Sequence, residues 1–419
     1  MYADVVIVNI SKLYTPKGPF VRGTKMSDIT QMNEAFIAIR DGLILDLGEH
    51  DYKAYIGEKT EIYDGRRLVA LPGFVDSHTH LVYGGSREHE FSKKLQGVPY
   101  LDILATGGGI LSTVEATRNI EYKELLQKSL GSLYELASYG VTTMEVKSGY
   151  GLNRETEVKQ LKIIKELNKT SPFDVLGTYM GAHTFPKEYK DNKQGYIDEL
   201  MRDIEFVKEN DLATFIDVFC EDSVFNYEQS KAILLKGKEV GLKVKIHADE
   251  IVSLGGAELA VSLGAKSADH LMAISKQDIE LISKSNTVAN LLPGTSFYLN
   301  KDYAPARTLL DRNAIVSLSS DMNPGSSPNE NFQLIQQLGC LKLKMTPEEV
   351  LTATTINAAF NLDLQDKLGS LEIGKQADIL LMDAPNLEYI FYHYGINHVK
   401  DIIKKGKVIF QNRRYLQGE

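Results

Sequence analysis

Cysteine is scarce in this chain: 419 residues include two, Cys220 and Cys340. Two thiols cannot build a disulfide framework, and a reducing compartment, the cytoplasm, is the natural expectation. Long apolar runs are missing too, so no segment is expected to span a membrane. The start, Met1-Tyr2-Ala3-Asp4, has no basic stretch followed by an apolar core, so no secretory leader is expected. An excess of positive charge is also absent. Lys and Arg number 47 against 56 Asp and Glu, a net charge of −9, which disfavours nucleic acid as a partner. No solenoid-type repeat and no low-complexity tract is present. What is there is ordinary globular composition, 43% hydrophobic and 25% charged. The length suits one large domain plus an accessory one.

Both ends of the chain read as short strands and turns. Residues 4–8 and 35–39 are apolar and strand-like, the latter followed by the turn pair Asp41-Gly42. Residues 378–382 and 402–409 repeat that texture. Chain termini often lie close together, so residues 1–70 and 369–419 are expected to form one small β-sandwich domain. Residues 71–368 differ. Eight apolar runs end near His80, Lys147, His183, Glu221, His247, His270, Pro293 and Asp321. Helical patterns separate them, for example 121–139, 155–168, 228–240 and 275–285. Eight β–α units over roughly 250 residues predict an α/β fold, a parallel (β/α)8 TIM barrel. Catalytic groups of such barrels stand at the C-terminal ends of the strands, and the polar residues of this chain stand there.

The first run closes on His78-Thr79-His80. Phe74 and Val75 suit a strand, and residues i and i+2 of a strand share a face. The two imidazoles therefore project together, as a transition-metal site requires. His247 ends the fifth run and Asp321 the eighth. In a closed barrel the first and eighth strands are neighbours and the fifth lies across the mouth, so all four side chains can converge. Taken singly, each is an ordinary polar strand cap. Three imidazoles with one carboxylate suit Zn2+, and non-haem iron tolerates the same set. Water activated there still needs a proton carrier. Glu250, three residues beyond His247, is the candidate shuttle. His270, ending the sixth run, either shares that work or orients a ligand. Glu250, His270 and Asp321 are thus the candidate catalytic residues.

Residues 72–80 together with His247, His270 and Asp321 resemble the amidohydrolase superfamily in its mononuclear form. Residues 368–378 resemble the return strand of its composite sheet. More narrowly, segments 79–91, 107–110, 145–152, 181–183 and 320–326 resemble the imidazolonepropionase family, over essentially the whole chain. The discriminating stretches are Gly85-Ser86-Arg87-Glu88-His89-Glu90-Phe91 and Lys147-Ser148-Gly149-Tyr150-Gly151-Leu152. The resemblance implies hydrolysis of the cyclic amide of 4-imidazolone-5-propanoate to N-formimidoyl-L-glutamate in histidine degradation. It implies one Zn2+ or Fe3+ per chain, a small-molecule substrate and a homodimer. It also implies substrate contacts by Arg87, Tyr100, Tyr150, His183 and Glu250, with Asn323, Gly325 and Ser326 holding the opened product. Ser326 stands where the family often has threonine. A guanidinium at Arg87 suits the propionate tail. Lys147 is left a structural or electrostatic role, since the family uses one metal. His50, His393 and His398 read as surface residues.

Two other readings compete. A purine or pyrimidine deaminase would use the same metal, Glu250 and His270, but has no need of a carboxylate clamp at Arg87. A non-catalytic scaffold would be expected to have lost metal ligands, and all four are kept.

Overall fold

The computed structural model describes residues 2–97 and 108–416. Five strands come first: β1 (Val5–Thr15), β2 (Thr30–Arg40), β3 (Leu43–Gly48), β4 (Glu61–Asp64) and β5 (Val69–Pro72). Eight follow in the middle: β6 (Phe74–Thr79), β7 (Val141–Lys147), β8 (Asp174–Ala182), β9 (Phe215–Cys220), β10 (Lys243–Ala248), β11 (Ser267–His270), β12 (Val288–Leu291) and β13 (Val316–Leu318). The last are β14 (Ile379–Met382), β15 (Val399–Lys404), β16 (Lys407–Gln411) and β17 (Arg414–Tyr415).

Strands β6 to β13 lie side by side in chain order, each parallel to the next. This is the expected (β/α)8 barrel. Between β13 and β6 there is little ladder. The seam is closed instead by the backbone bonds Asp321 N to His78 O (3.1 Å) and His80 N to Met322 O (2.9 Å). Buried Asp76 adds to it by accepting from Ser320 N at 3.0 Å and Ser320 Oγ at 2.5 Å. The predicted helices are present as Tyr122–Ser138, Arg154–Thr170, Tyr227–Glu239 and Lys276–Ser283. Arg154–Thr170 shows why they form. Asn153 caps its start by accepting from Thr156 N, and Leu161, Ile164 and Leu167 face inward at helical spacing. Burying each such side chain is worth about 1.5–3 kcal/mol. No described helix is long and apolar enough to cross a membrane.

The terminal strands make one nine-stranded sheet, ordered β17-β16-β15-β14-β5-β1-β2-β3 with β4 also beside β1. The two chain ends meet where β5 runs antiparallel to β14, Val69 opposite Met382 and Pro72 opposite Ile379. Ile7, Ile10, Leu13, Ile37, Ile379 and Leu381 share its buried cluster. The expected Asp41-Gly42 turn joins β2 to β3, with φ of 52° and 77°. Positive φ at both central positions matches the right-handed twist of the flanking strands. Lys405-Gly406 does the same (50° and 76°), dividing the apolar run 402–409 into β15 and β16. His398 is a correction. It is buried, its Nε2 donating to His393 O at 3.0 Å and its backbone N–H to Gln333 Oε1.

Candidate metal centre

The barrel mouth gathers the side chains that strand ends predicted. His78 belongs to β6 and His80 follows it, His247 lies in β10, and Asp321 follows β13 across the seam. All four are buried. Ring centroids are 5.3 Å apart for His78 and His80, 4.5 Å for His78 and His247, and 5.5 Å for His80 and His247. Asp321 Oδ1 lies 3.4 Å from His78 Nε2 and 3.7 Å from His80 Nε2. Ligand-type atoms of His78, His80 and Asp321 lie within 4.8 Å of one another, and so do those of His78, His247 and His270.

The donor set fits a metal ion for three reasons. His78 Nδ1 is 2.6 Å from Asp269 Oδ2, and a carboxylate accepts, so Nδ1 carries the proton and Nε2 the lone pair. That Nε2 is buried without a hydrogen-bond partner, a costly state unless something satisfies it. His247 is held in the same way from behind, with Nδ1 3.1 Å from Asp217 Oδ2. Asp321 is oriented as well. Thr295 Oγ1 donates to its Oδ2 at 2.5 Å and Asn323 Nδ2 to its backbone O at 2.6 Å, so Oδ1 is the oxygen turned to the imidazoles.

Asp217 and Asp269, which hold the rings, were not foreseen as site residues. Their signal is a lone acid inside an apolar strand, as in Phe215-Ile216-Asp217-Val218-Phe219. Beneath them lie Lys147, Glu145 and Lys245, all fully buried. Burial alone would pull the Lys147 ammonium down, but the carboxylates of Asp217, Glu145 and Asp269 outweigh it and keep it charged.

His270 comes to the site through a sharp bend. It has φ of 78° and Leu271 of 64°, a conformation that costs about 1–3 kcal/mol per non-glycine residue and that clusters at functional sites. Asp269 can thus point down to His78 while the next ring stands 5.1 Å from that of His247. Glu250 Oε2 is 3.6 Å from His270 Nε2. Burial, with the Asp321 charge adding to it, pushes the Glu250 carboxyl up to about 8. Its loop is pinned from below, since Glu221 accepts from Ile251 N at 2.8 Å and Val252 N at 3.3 Å. Sequence reading marked Glu221 as a strand end and missed this use.

The wall of the mouth holds the remaining candidates. The His183 ring stacks on His80, 5.1 Å away, and its Nδ1 donates to Gly149 O at 3.0 Å. Burial and the neighbouring His247 push its pKa down to about 3, so its free nitrogen is an acceptor. The Tyr150 ring lies 5.3 Å from that of His183. Arg87 is gripped by buried Glu90, Nε to Oε1 at 3.1 Å and Nη2 to Oε2 at 2.9 Å. Its Nη1 presses against Gly325, where an added Cβ would overlap it. Asn323 folds this loop into a tight turn, its Oδ1 accepting from Gly325 N at 2.7 Å and Ser326 N at 2.8 Å. Asn323 therefore shapes the loop, and Gly325 leaves room for the guanidinium. Gly325→Ala is expected to displace Arg87 and raise KM at unchanged metal content, which steady-state kinetics with metal analysis would show. Tyr100 lies outside the described residues.

A sequence model of the Amidohydrolase family matches residues 69–409. An imidazolonepropionase of Fusobacterium nucleatum is 50% identical over 413 residues, 98% of this chain and 100% of that one. One from Caldanaerobacter subterraneus is 51% identical over 406 residues, 96% of this chain and 97% of that one. The chain belongs to the amidohydrolase family, in its imidazolonepropionase branch. An amidohydrolase with this His and Asp cluster carries a metal cofactor. Among solved structures, Escherichia coli guanine deaminase superposes with a TM-score of 0.75, covering 97% of this chain and 98% of its own, at 14% identity. A zinc-bound adenosine deaminase from Xanthomonas campestris gives 0.73, covering 100% and 95%, at 16% identity. At such identities the likeness is one of fold.

Proposed function

We propose that this amidohydrolase opens the ring of 4-imidazolone-5-propanoate by hydrolysis to N-formimidoyl-L-glutamate, a step of histidine degradation. The ion is one Zn2+ or Fe3+ per chain, held by His78, His80, His247 and Asp321. The observation that carries the substrate assignment is Arg87, a guanidinium fixed by Glu90 in the wall of a metal site. A ring deaminase on the same scaffold has no use for a cation there, whereas a propionate tail does.

When bound, the ion supplies Lewis acidity and lowers the pKa of water towards about 7. The protein does the rest. Arg87, Tyr150, His183 and Tyr100 hold the substrate with its ring carbonyl over the histidines. Glu250 accepts a proton from the attacking water as the new C–O bond forms. His270, 3.6 Å from Glu250, steadies the oxyanion. Glu250 then gives the proton to the ring nitrogen as the C–N bond breaks. Asn323, Gly325 and Ser326 line the side on which the opened chain is released. Residues 1–70 and 369–419 form the accessory domain in this reading and 71–368 the catalytic one. A cytoplasmic homodimer completes it, with the free thiols of Cys220 and Cys340 supporting a reducing compartment.

The test is Arg87→Met. Losing a buried charge-assisted contact costs about 2–5 kcal/mol, so kcat/KM on imidazolone propionate should fall about 30-fold or more. An imidazolone without the carboxylate should be affected far less. Equal losses on both substrates would put Arg87 elsewhere in the mechanism.

A further inference from the structure

The charged side chains with no solvent exposure in the barrel below the histidines include Glu145, Lys147, Asp217, Lys245 and Asp269. They are not equivalent. Lys245 Nζ donates to Ser77 O at 2.7 Å and meets Glu145 at 3.5 Å. Lys147 sits at the centre. Its Nζ is 2.7 Å from Glu145 Oε1, 2.8 Å from Asp217 Oδ2 and 3.9 Å from Asp269 Oδ2. These Asp217 and Asp269 oxygens are the ones that engage Nδ1 of His247 and His78. One ammonium thus faces both carboxylates, and each carboxylate holds one ring. The rings come from strands on opposite sides of the barrel, β6 and β10.

We propose that Lys147 is a positioning residue for the metal site, bridging Asp217 and Asp269 so that His78 and His247 present Nε2 to a common point. The physical case is simple. Two buried carboxylates repel, and in a medium of low dielectric the repulsion is strong. The cation between them removes it and fixes where each can lie. Each fixed carboxylate then sets one ring's tautomer and orientation, as the outer partners of metal-ligating histidines do. Without Lys147 the carboxylates face each other with Lys245 as the remaining cation, which touches neither. The rings lose their common aim, though every ligand is still present.

This rests on reading His78 and His247 as ligands, and the experiment separates the two ideas. Zinc affinity is measured by chelator competition in the wild type, Lys147→Met and Lys245→Met, with circular dichroism as a check on folding. Lys147→Met should bind zinc about 10–100-fold more weakly, the range known for outer partners of metal-bound histidine. Lys245→Met removes an equal charge from the same cluster, one that acts on Asp269 without contacting either carboxylate, and should weaken affinity clearly less. Equal weakening in both, or none in Lys147→Met, would overturn the assignment in favour of general charge balance. A second measurement needs no variant to fold. Nitrogen-15 spectra of the metal-free wild type, taken at a pH where both rings are neutral, should show the Nδ1–H tautomer at both His78 and His247, and an Nε2–H tautomer at either would also overturn it. Wild-type zinc affinity in His247→Ala would instead remove the ligand reading, and this inference with it.

Discussion

His247→Ala protein is expected to purify folded, with most of its metal and nearly all of its turnover gone. The folding half follows from what stays behind. Asp217 keeps Lys147 at 2.8 Å and the backbone N–H of residue 247 at 3.1 Å, so no buried carboxylate is stranded. The void left by the imidazole opens towards the mouth and can take water. The metal half follows from geometry. Of the four proposed ligands only His247 reaches the site from the side opposite the seam, and removing it leaves the other three on one side. The loss of affinity should exceed the roughly 10–100-fold that an outer carboxylate commands. Metal content by atomic emission, read beside kcat, checks both halves. Full activity in metal-free His247→Ala protein would overturn the ligand set.

Glu250→Gln is expected to lower kcat by at least about a hundredfold while metal content and substrate binding persist. General acid–base help is typically worth about 10²–10⁴ in rate, and glutamine matches the size and polarity of glutamate without carrying a proton. The loop should not move, because Glu221 pins the backbone at Ile251 and Val252 and the Glu250 side chain does not. A carboxylate that must accept a proton works in its ionised form, so the wild-type rate should climb with pH as Glu250 ionises. That limb should vanish in the variant. Near-normal kcat in Glu250→Gln would move the shuttle to His270 or Asp321.

Much of the site was legible because parallel barrels put function at strand ends, and polar residues ending apolar runs are visible in a sequence. His78, His80, His247, His270 and Asp321 all gave that signal. Arg87 and the 323–326 turn were reached through resemblance, since nothing in a loop's composition says which way it folds. What stayed hidden lies within the strands. Asp217, Asp269 and Lys245 point inward from positions that otherwise hold Val, Ile or Phe, and their meaning depends on which strands face each other across the barrel. His398 was misread for a related reason. A lone histidine near the C-terminus looks solvated until Gln333, far away in sequence, is seen to accept from its backbone.

The pairing of β5 with β14 also bears on how the molecule is made. At the usual 5–20 residues per second, β5 leaves the ribosome about 15–60 seconds before β14, the neighbour on its far side from β1. β1, β2 and β3 can assemble at once through the Asp41-Gly42 hairpin. β5, whose four residues Val69-Ala70-Leu71-Pro72 all end up buried, can join them on β1 but must wait for its second neighbour. During that interval the nascent sheet carries an open apolar edge, the kind of surface that other chains add to. Barrel synthesis fills the wait, so slow translation of the middle of the chain should lengthen the period in which β5 needs a chaperone.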